Sequence, residues 1–104
     1  MDRNIHDTRS YMSATKSIMA KAPSARQIHA ARVILGWTQP QLSDAAGVGI
    51  ATVKRLEFNH RDKDLLEIMT IPTLSKIVKA LEDQGIEFTV EEGGRRSVLY
   101  TEKF

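Results

Sequence analysis

Between Thr38 and Glu57 the chain runs TQPQLSDAAGVGIATVKRLE. An amide (Gln39), a hydroxyl (Thr52) and two adjacent cations (Lys54 and Arg55) are distributed about a glycine joint at Gly47 and Gly49. Groups of these types donate hydrogen bonds and positive charge, which suits an anionic polymer better than bond-making chemistry. A short helix, a tight glycine turn and a second short helix with an exposed first turn can brace one helix across a phosphate backbone while the next enters the major groove. The joint needs glycine because the turn calls for positive φ.

Catalytic constellations are missing from the rest of the chain. With no cysteine there is no thiolate nucleophile, no disulfide framework and no Cys-based zinc site. His6, His29 and His60 are isolated, no H-E-x-x-H or phosphate-cradling glycine loop occurs, and Asp62-Lys63-Asp64 lacks the spacing of a calcium loop. The carboxylate pairs Glu82-Asp83 and Glu91-Glu92 read as solvated faces. Neither an enzyme nor a cofactor is expected.

Charge agrees with a polyanionic partner. The net +2 conceals an asymmetry: residues 1–61 carry nine Lys or Arg against four Asp or Glu, whereas residues 62–104 carry six against nine. The basic half is where a polyanion would bind. A composition of 41% hydrophobic and 27% charged residues is that of an ordinary globular protein. No run approaches the roughly 18 apolar residues needed to span a bilayer. Residues 1–22 have scattered charges and lack the apolar stretch of a signal peptide, so no membrane partner and a cytoplasmic location are expected.

The elements that must position the cations follow from periodicity. At 104 residues one domain is expected. Residues 1–23 read as a polar arm: Tyr11, Ala14, Ile18 and Met19 fall roughly on one helical face, but Ser10, Ser13, Thr15 and Ser17 weaken it and no cap is evident. Residues 24–85 read as helical. Ser24 and Gln27 form a capping box leading into Ile28, Ala31 and Leu35, stopped by Gly36; Thr38 and Gln41 form a second, followed by Leu42, Ala45 and Ala46 as the buried face and Gly47 as the stop. A third short helix spans Ile50 to Phe58, with Val53 and Leu56 inward. The segment 60–70, with Leu65, Leu66, Ile68 and Met69, reads as an added helical turn closing the core or meeting a partner. Pro72 opens a last helix whose stripe is Leu74, Ile77, Val78 and Leu81, ended by Gly85.

Beyond Gly85 the period changes to two. Ile86, Phe88 and Val90 alternate with polar residues, and Val98 and Tyr100 resume the alternation after Gly93-Gly94. Residues 86–104 are therefore a β-hairpin. A three-residue loop of Gly93, Gly94 and Arg95 sets Val90 opposite Val98, Phe88 opposite Tyr100 and Glu92 opposite Arg96. A two-stranded hairpin alone is marginal in water, so its apolar face must lie on the helices or on another chain, and it is a candidate dimerisation element.

In the fragments W-T-Q-x-x-L, A-G-V and T-V-K-R-L-E the stretch resembles the helix-turn-helix family of lambda-repressor-like and Cro-like regulators, also called the xenobiotic-response-element (XRE) family, from about Arg26 to Leu81. The resemblance implies a mainly α fold, a lambda-repressor-like bundle of four to five short helices, here followed by the hairpin. It implies a sequence-specific regulator of double-stranded DNA, a repressor of a bacterial, phage or mobile-element operon that binds major-groove half-sites as a homodimer. In the family's pattern Gln39 matches a glutamine that contacts phosphate and Thr52 a hydroxyl that supports such contacts. Gly49, Ile50, Ala51, Lys54 and Arg55 occupy the start and outer face of the recognition helix. Leu42, Ala46, Val48, Val53 and Leu56 match buried positions, and Glu57 reads as a structural carboxylate that makes a salt bridge or a cap, with Arg32 as a candidate partner. Gly49 departs from the usual capping Ser or Thr. Ile50 and Ala51 replace polar base-readers, which throws readout onto Arg55 and Lys54. The alternative is an antitoxin that binds a toxin, or another regulatory protein partner, and represses its own operon.

Overall fold

The computed structural model describes residues 22–58, 65 and 68–102. They form four helices, α1 (Ala25–Ile34), α2 (Gln39–Ala46), α3 (Ile50–Phe58) and α4 (Ile71–Glu82), then an antiparallel hairpin of β1 (Ile86–Val90) and β2 (Arg96–Tyr100). The fold is mainly helical with a C-terminal two-stranded sheet. The expectations for residues 1–21 and for Leu66 lie outside the described residues.

Each of the first two helices starts where its capping box places it. Gln27 N donates to Ser24 Oγ at 3.2 Å while Ser24 N donates to Gln27 Oε1 at 2.9 Å. Thr38 and Gln41 repeat the exchange at 3.2 and 2.7 Å. A cap the sequence reading passed over starts α4, where Thr73 N donates to Thr70 Oγ1 at 3.3 Å. The helices are short, so their stability comes from a shared core of Ile28, Leu42, Val53, Leu56, Leu74, Ile77 and Leu81, all fully buried. Full burial of such a side chain contributes roughly 1.5–3 kcal/mol relative to exposure. Of segment 60–70, Leu65 is buried in this core and its carbonyl accepts from Ile68 N and Met69 N, with both side chains packed on the cluster. Leu65 with the turn at Ile68 and Met69 thus helps close the core, and the remainder of the segment lies outside the described residues.

The hairpin is part of the same body. Ile86 is buried, and Phe88 and Val98 pack against the helical cluster. Gln27 joins them: its Nε2 donates to Thr89 O at 3.0 Å and Ser97 O at 2.9 Å, and its Oε1 also accepts from Arg96 Nη1 at 2.8 Å. Arg96 Nη1 reaches Ala22 O as well, and Pro23 is buried. Ala22 and Pro23, assigned to the polar arm from sequence, therefore belong to the body.

The register differs from the expected one by two residues. Val90 faces Arg96, Phe88 faces Val98 and Ile86 faces Tyr100. The loop is Glu92–Gly94, closed by Glu91 N donating to Arg95 O at 2.7 Å. Positive φ falls at Gly93 (85°) and Gly94 (81°), which puts the glycines at the second and third loop positions instead of the first and second. The ion pair across the loop is Glu91 with Arg95, 2.6 Å, in place of Glu92 with Arg96. A shift of two keeps each side chain on its face, so the apolar set still points inward.

Candidate nucleic-acid interface

The α2–α3 joint is Gly47, Val48 and Gly49. Gly47 caps α2 at φ 70°, and its N–H donates to Ser43 O at 2.9 Å. Ser43, missed in the sequence, is buried and its Oγ donates to Val48 O at 2.6 Å, tying the turn back onto α2. That bond draws Ser43 inward and makes the buried stripe of α2 Leu42, Ser43 and Ala46; Ala45, expected on it, is exposed. Ser43 could not be picked out because its partner follows five residues later across a turn.

A network beneath the joint sets the relation of three helices. Arg32 of α1 grips Glu57 of α3 with both arms, Nε to Oε2 at 2.7 Å and Nη2 to Oε1 at 2.8 Å, while its Nη1 donates to Trp37 O at 2.6 Å. The expected Arg32–Glu57 pair is therefore present. Gln39, the first residue of α2, donates from Nε2 to Glu57 Oε1 at 3.1 Å, and His29 Nε2 lies 4.0 Å from the same oxygen. Only 3% of the Glu57 side chain is exposed. Burial pushes its carboxyl up, but hydrogen bonds from Arg32 and then Gln39, with the charges of Arg32 and His29, hold it below its ordinary value. Arg32 is correspondingly raised, mainly by its bond to Glu57.

Around this support the seven candidate residues are arranged in two groups. Gly49, Ala51, Lys54 and Arg55 are exposed along the start and outer face of α3; Ile50 and Thr52 are half-buried, with Thr52 N donating to Gly49 O at 3.0 Å. The side chains of Lys54 and Arg55 make no hydrogen bond or ion pair among the described residues, and both are exposed. Gln39 stands apart at the N-terminus of α2, half-buried, linked to α3 through Glu57. One further N–H of its amide and its own backbone N–H, a helix-terminal donor without an intrahelical partner, remain available to an anion. Phe58, 82% exposed at the end of α3, was not singled out from sequence.

Among the described residues no group of three or more His, Cys, Asp or Glu could hold a metal ion, and no helix is long and apolar enough to cross a membrane. Comparison with protein-family models and with curated proteins finds no match for this chain.

Proposed function

We propose that this protein is a sequence-specific regulator of double-stranded DNA with a lambda-repressor-like helix-turn-helix, in which α2 lies across the phosphate backbone and α3 enters the major groove. The observation that carries it is the exposed pair Lys54 and Arg55, without an ion-pair partner among the described residues, on the outer face of a short helix that is locked to α1 and α2 through Glu57. A helix that must hold a fixed angle in a groove needs such rigid support behind it and free donors in front. Arg55 presents the fork that matches guanine O6 and N7, Ile50 and Ala51 suit thymine methyls, and Gln39 with Thr52 serves phosphate. The acidic Glu57 is neutralised by Arg32 and so does not oppose the polyanion. The reading makes the protein a repressor acting as a homodimer on paired half-sites.

The test begins by sequencing the duplexes that the protein retains from a random library, followed by titrations on the selected and scrambled duplexes at fixed salt. Arg55→Ala is expected to cost roughly 1–3 kcal/mol on the selected duplex and to relax preference at one position per half-site. Gln39→Ala is expected to weaken all duplexes by similar factors. Circular dichroism establishes that both variants are folded. Unchanged affinity in folded Arg55→Ala, or no retained duplex at all, would turn the assignment toward a protein partner such as a toxin.

A further inference from the structure

The outer face of α3 carries one side chain to which no role has yet been given. The inward residues Val53, Leu56 and Glu57 are buried, and on the side away from them Ala51, Lys54, Arg55 and Phe58 are all exposed. At 3.6 residues per turn, a step of seven is close to two turns, so Phe58 stands almost directly below Ala51, and the two cations lie on the turn between them, one to each side. The stripe measures about 10 Å along the helix axis, within the roughly 12 Å width of a major groove. Phe58 is 82% exposed, more than any other large apolar side chain among the described residues. A helical side chain covers the surface over the turn N-terminal to its own Cα, which for Phe58 is the turn of Lys54 and Arg55.

A phenyl ring offers no hydrogen bond to phosphate, and against the donors and acceptors of a base edge it would displace water without replacing the bonds lost. On the major-groove edges of the four bases the apolar group is the C5-methyl of thymine. We propose that Phe58 is a specificity-determining residue of this site, its ring seated on the C5-methyl of a thymine in each half-site. The proposal rests on the DNA reading and deepens it. Lys54 and Arg55 supply donors at the middle of the stripe, and Phe58 supplies an apolar contact at its far end, so the preferred half-site holds a thymine beyond the guanine paired with Arg55. Ile50 and Ala51, at the opposite end of α3, serve other thymines. An aromatic side chain that instead met a protein would show no dependence on the methyl group, and the methyl is therefore what the experiment removes.

Deoxyuridine in place of thymidine deletes the C5-methyl and keeps every hydrogen-bonding atom, so each thymine of the duplex selected from a random library is replaced in turn and titrated with the full chain. The wild type is expected to lose about fourfold in affinity at one or more positions per half-site, the worth of one buried methyl. Phe58→Ala should bind the selected duplex about tenfold more weakly, and at one of those positions uracil should then cost nothing further. Phe58→Leu, which keeps an apolar contact, should retain the greater part of both effects. Selection repeated with Phe58→Ala should lose the preference for thymine at that position and keep the preference for guanine given to Arg55. Circular dichroism establishes that both variants are folded. A uracil profile that is the same in the wild type and in folded Phe58→Ala overturns the proposal and leaves the DNA reading standing; so does a loss that is equal on selected and scrambled duplexes. If no duplex is retained, both fall, and Phe58 is an apolar contact for a protein.

Discussion

Replacing Arg32 by methionine keeps the length of the stem and removes the guanidinium, which isolates Glu57, the most buried charge among the described residues. Glu57 would lose the bonds at 2.7 and 2.8 Å and keep only Gln39 at 3.1 Å, and the Trp37 carbonyl would lose its donor. With 3% of the Glu57 side chain and 14% of that of Arg32 exposed, water replaces little of what is removed. Breaking a buried pair in this way costs about 3–5 kcal/mol, a large share of the roughly 5–15 kcal/mol by which small domains are stable. Arg32→Met combined with Glu57→Leu leaves no buried charge and should recover most of the loss. The pH dependence separates the two terms. In the wild type the folded Glu57 carboxyl is lowered, so the stability it contributes is fully present above the ordinary carboxylate range and is lost as pH falls through the lowered folded value. In Arg32→Met burial dominates and raises the carboxyl, so that variant gains stability in an adjoining, higher window, as pH falls from its raised folded value to the ordinary carboxylate range. Glu82, raised by burial and then by Asp83, has that second sign in both proteins and cancels from the comparison. Urea denaturation followed by circular dichroism at neutral and acid pH measures the gap, which should narrow from both sides on acidification. A loss below about 1 kcal/mol at neutral pH, or a double variant no more stable than the single one, would refute the role given to the pair.

Two glycines give opposite expectations. A Cβ at Gly85 would lie 2.1 Å from the Thr101 carbonyl oxygen at a φ of 101°, so Gly85→Ala should cost more than about 2 kcal/mol and lower the melting temperature sharply, since the hairpin base must open. A Cβ at Gly49 meets nothing within 4 Å, and a serine hydroxyl there can accept from the first N–H groups of α3, so Gly49→Ser should stabilise by about 0.5 kcal/mol in the same thermal scan.

What the sequence made legible was local. Both capping boxes involve residues three apart, the core stripes of α1, α3 and α4 repeat every three or four, and the hairpin's face assignment depends only on parity, which is why it survived a register error of two. Illegible were contacts made across the chain. Gln27 was read as a cap, yet it also carries the hairpin through partners 62, 69 and 70 residues away, and no periodicity encodes such a distance. Ser43 was missed and Ala45 misplaced on α2 for a related reason: in a helix of eight residues the buried stripe is too short to define by periodicity, and Ser43 is held to the following turn by its bond to Val48 O. The Arg32–Glu57 pair, 25 residues apart, was expected only by way of the resemblance, since no periodicity links the two positions.

The candidate interface divides along the same line. Lys54 and Arg55 were legible because exposure on the outer face of α3 follows from the burial of Val53 and Leu56, which flank them on the inward stripe. Gln39 was legible only as a helix-terminal amide. Its attachment to Glu57 gives it a second role, because the bond that fixes its carboxamide also ties α2 to the helix proposed to read bases. Loss of Gln39 can therefore weaken binding by removing a phosphate donor or by loosening α3. A lost phosphate donor weakens every duplex alike, whereas a loosened α3 weakens the preferred duplex most, because only a fixed helix sets side chains against base edges. The ratio of affinities for selected and scrambled duplexes, unchanged in the first case and reduced in the second, distinguishes the two even when the absolute loss is the same.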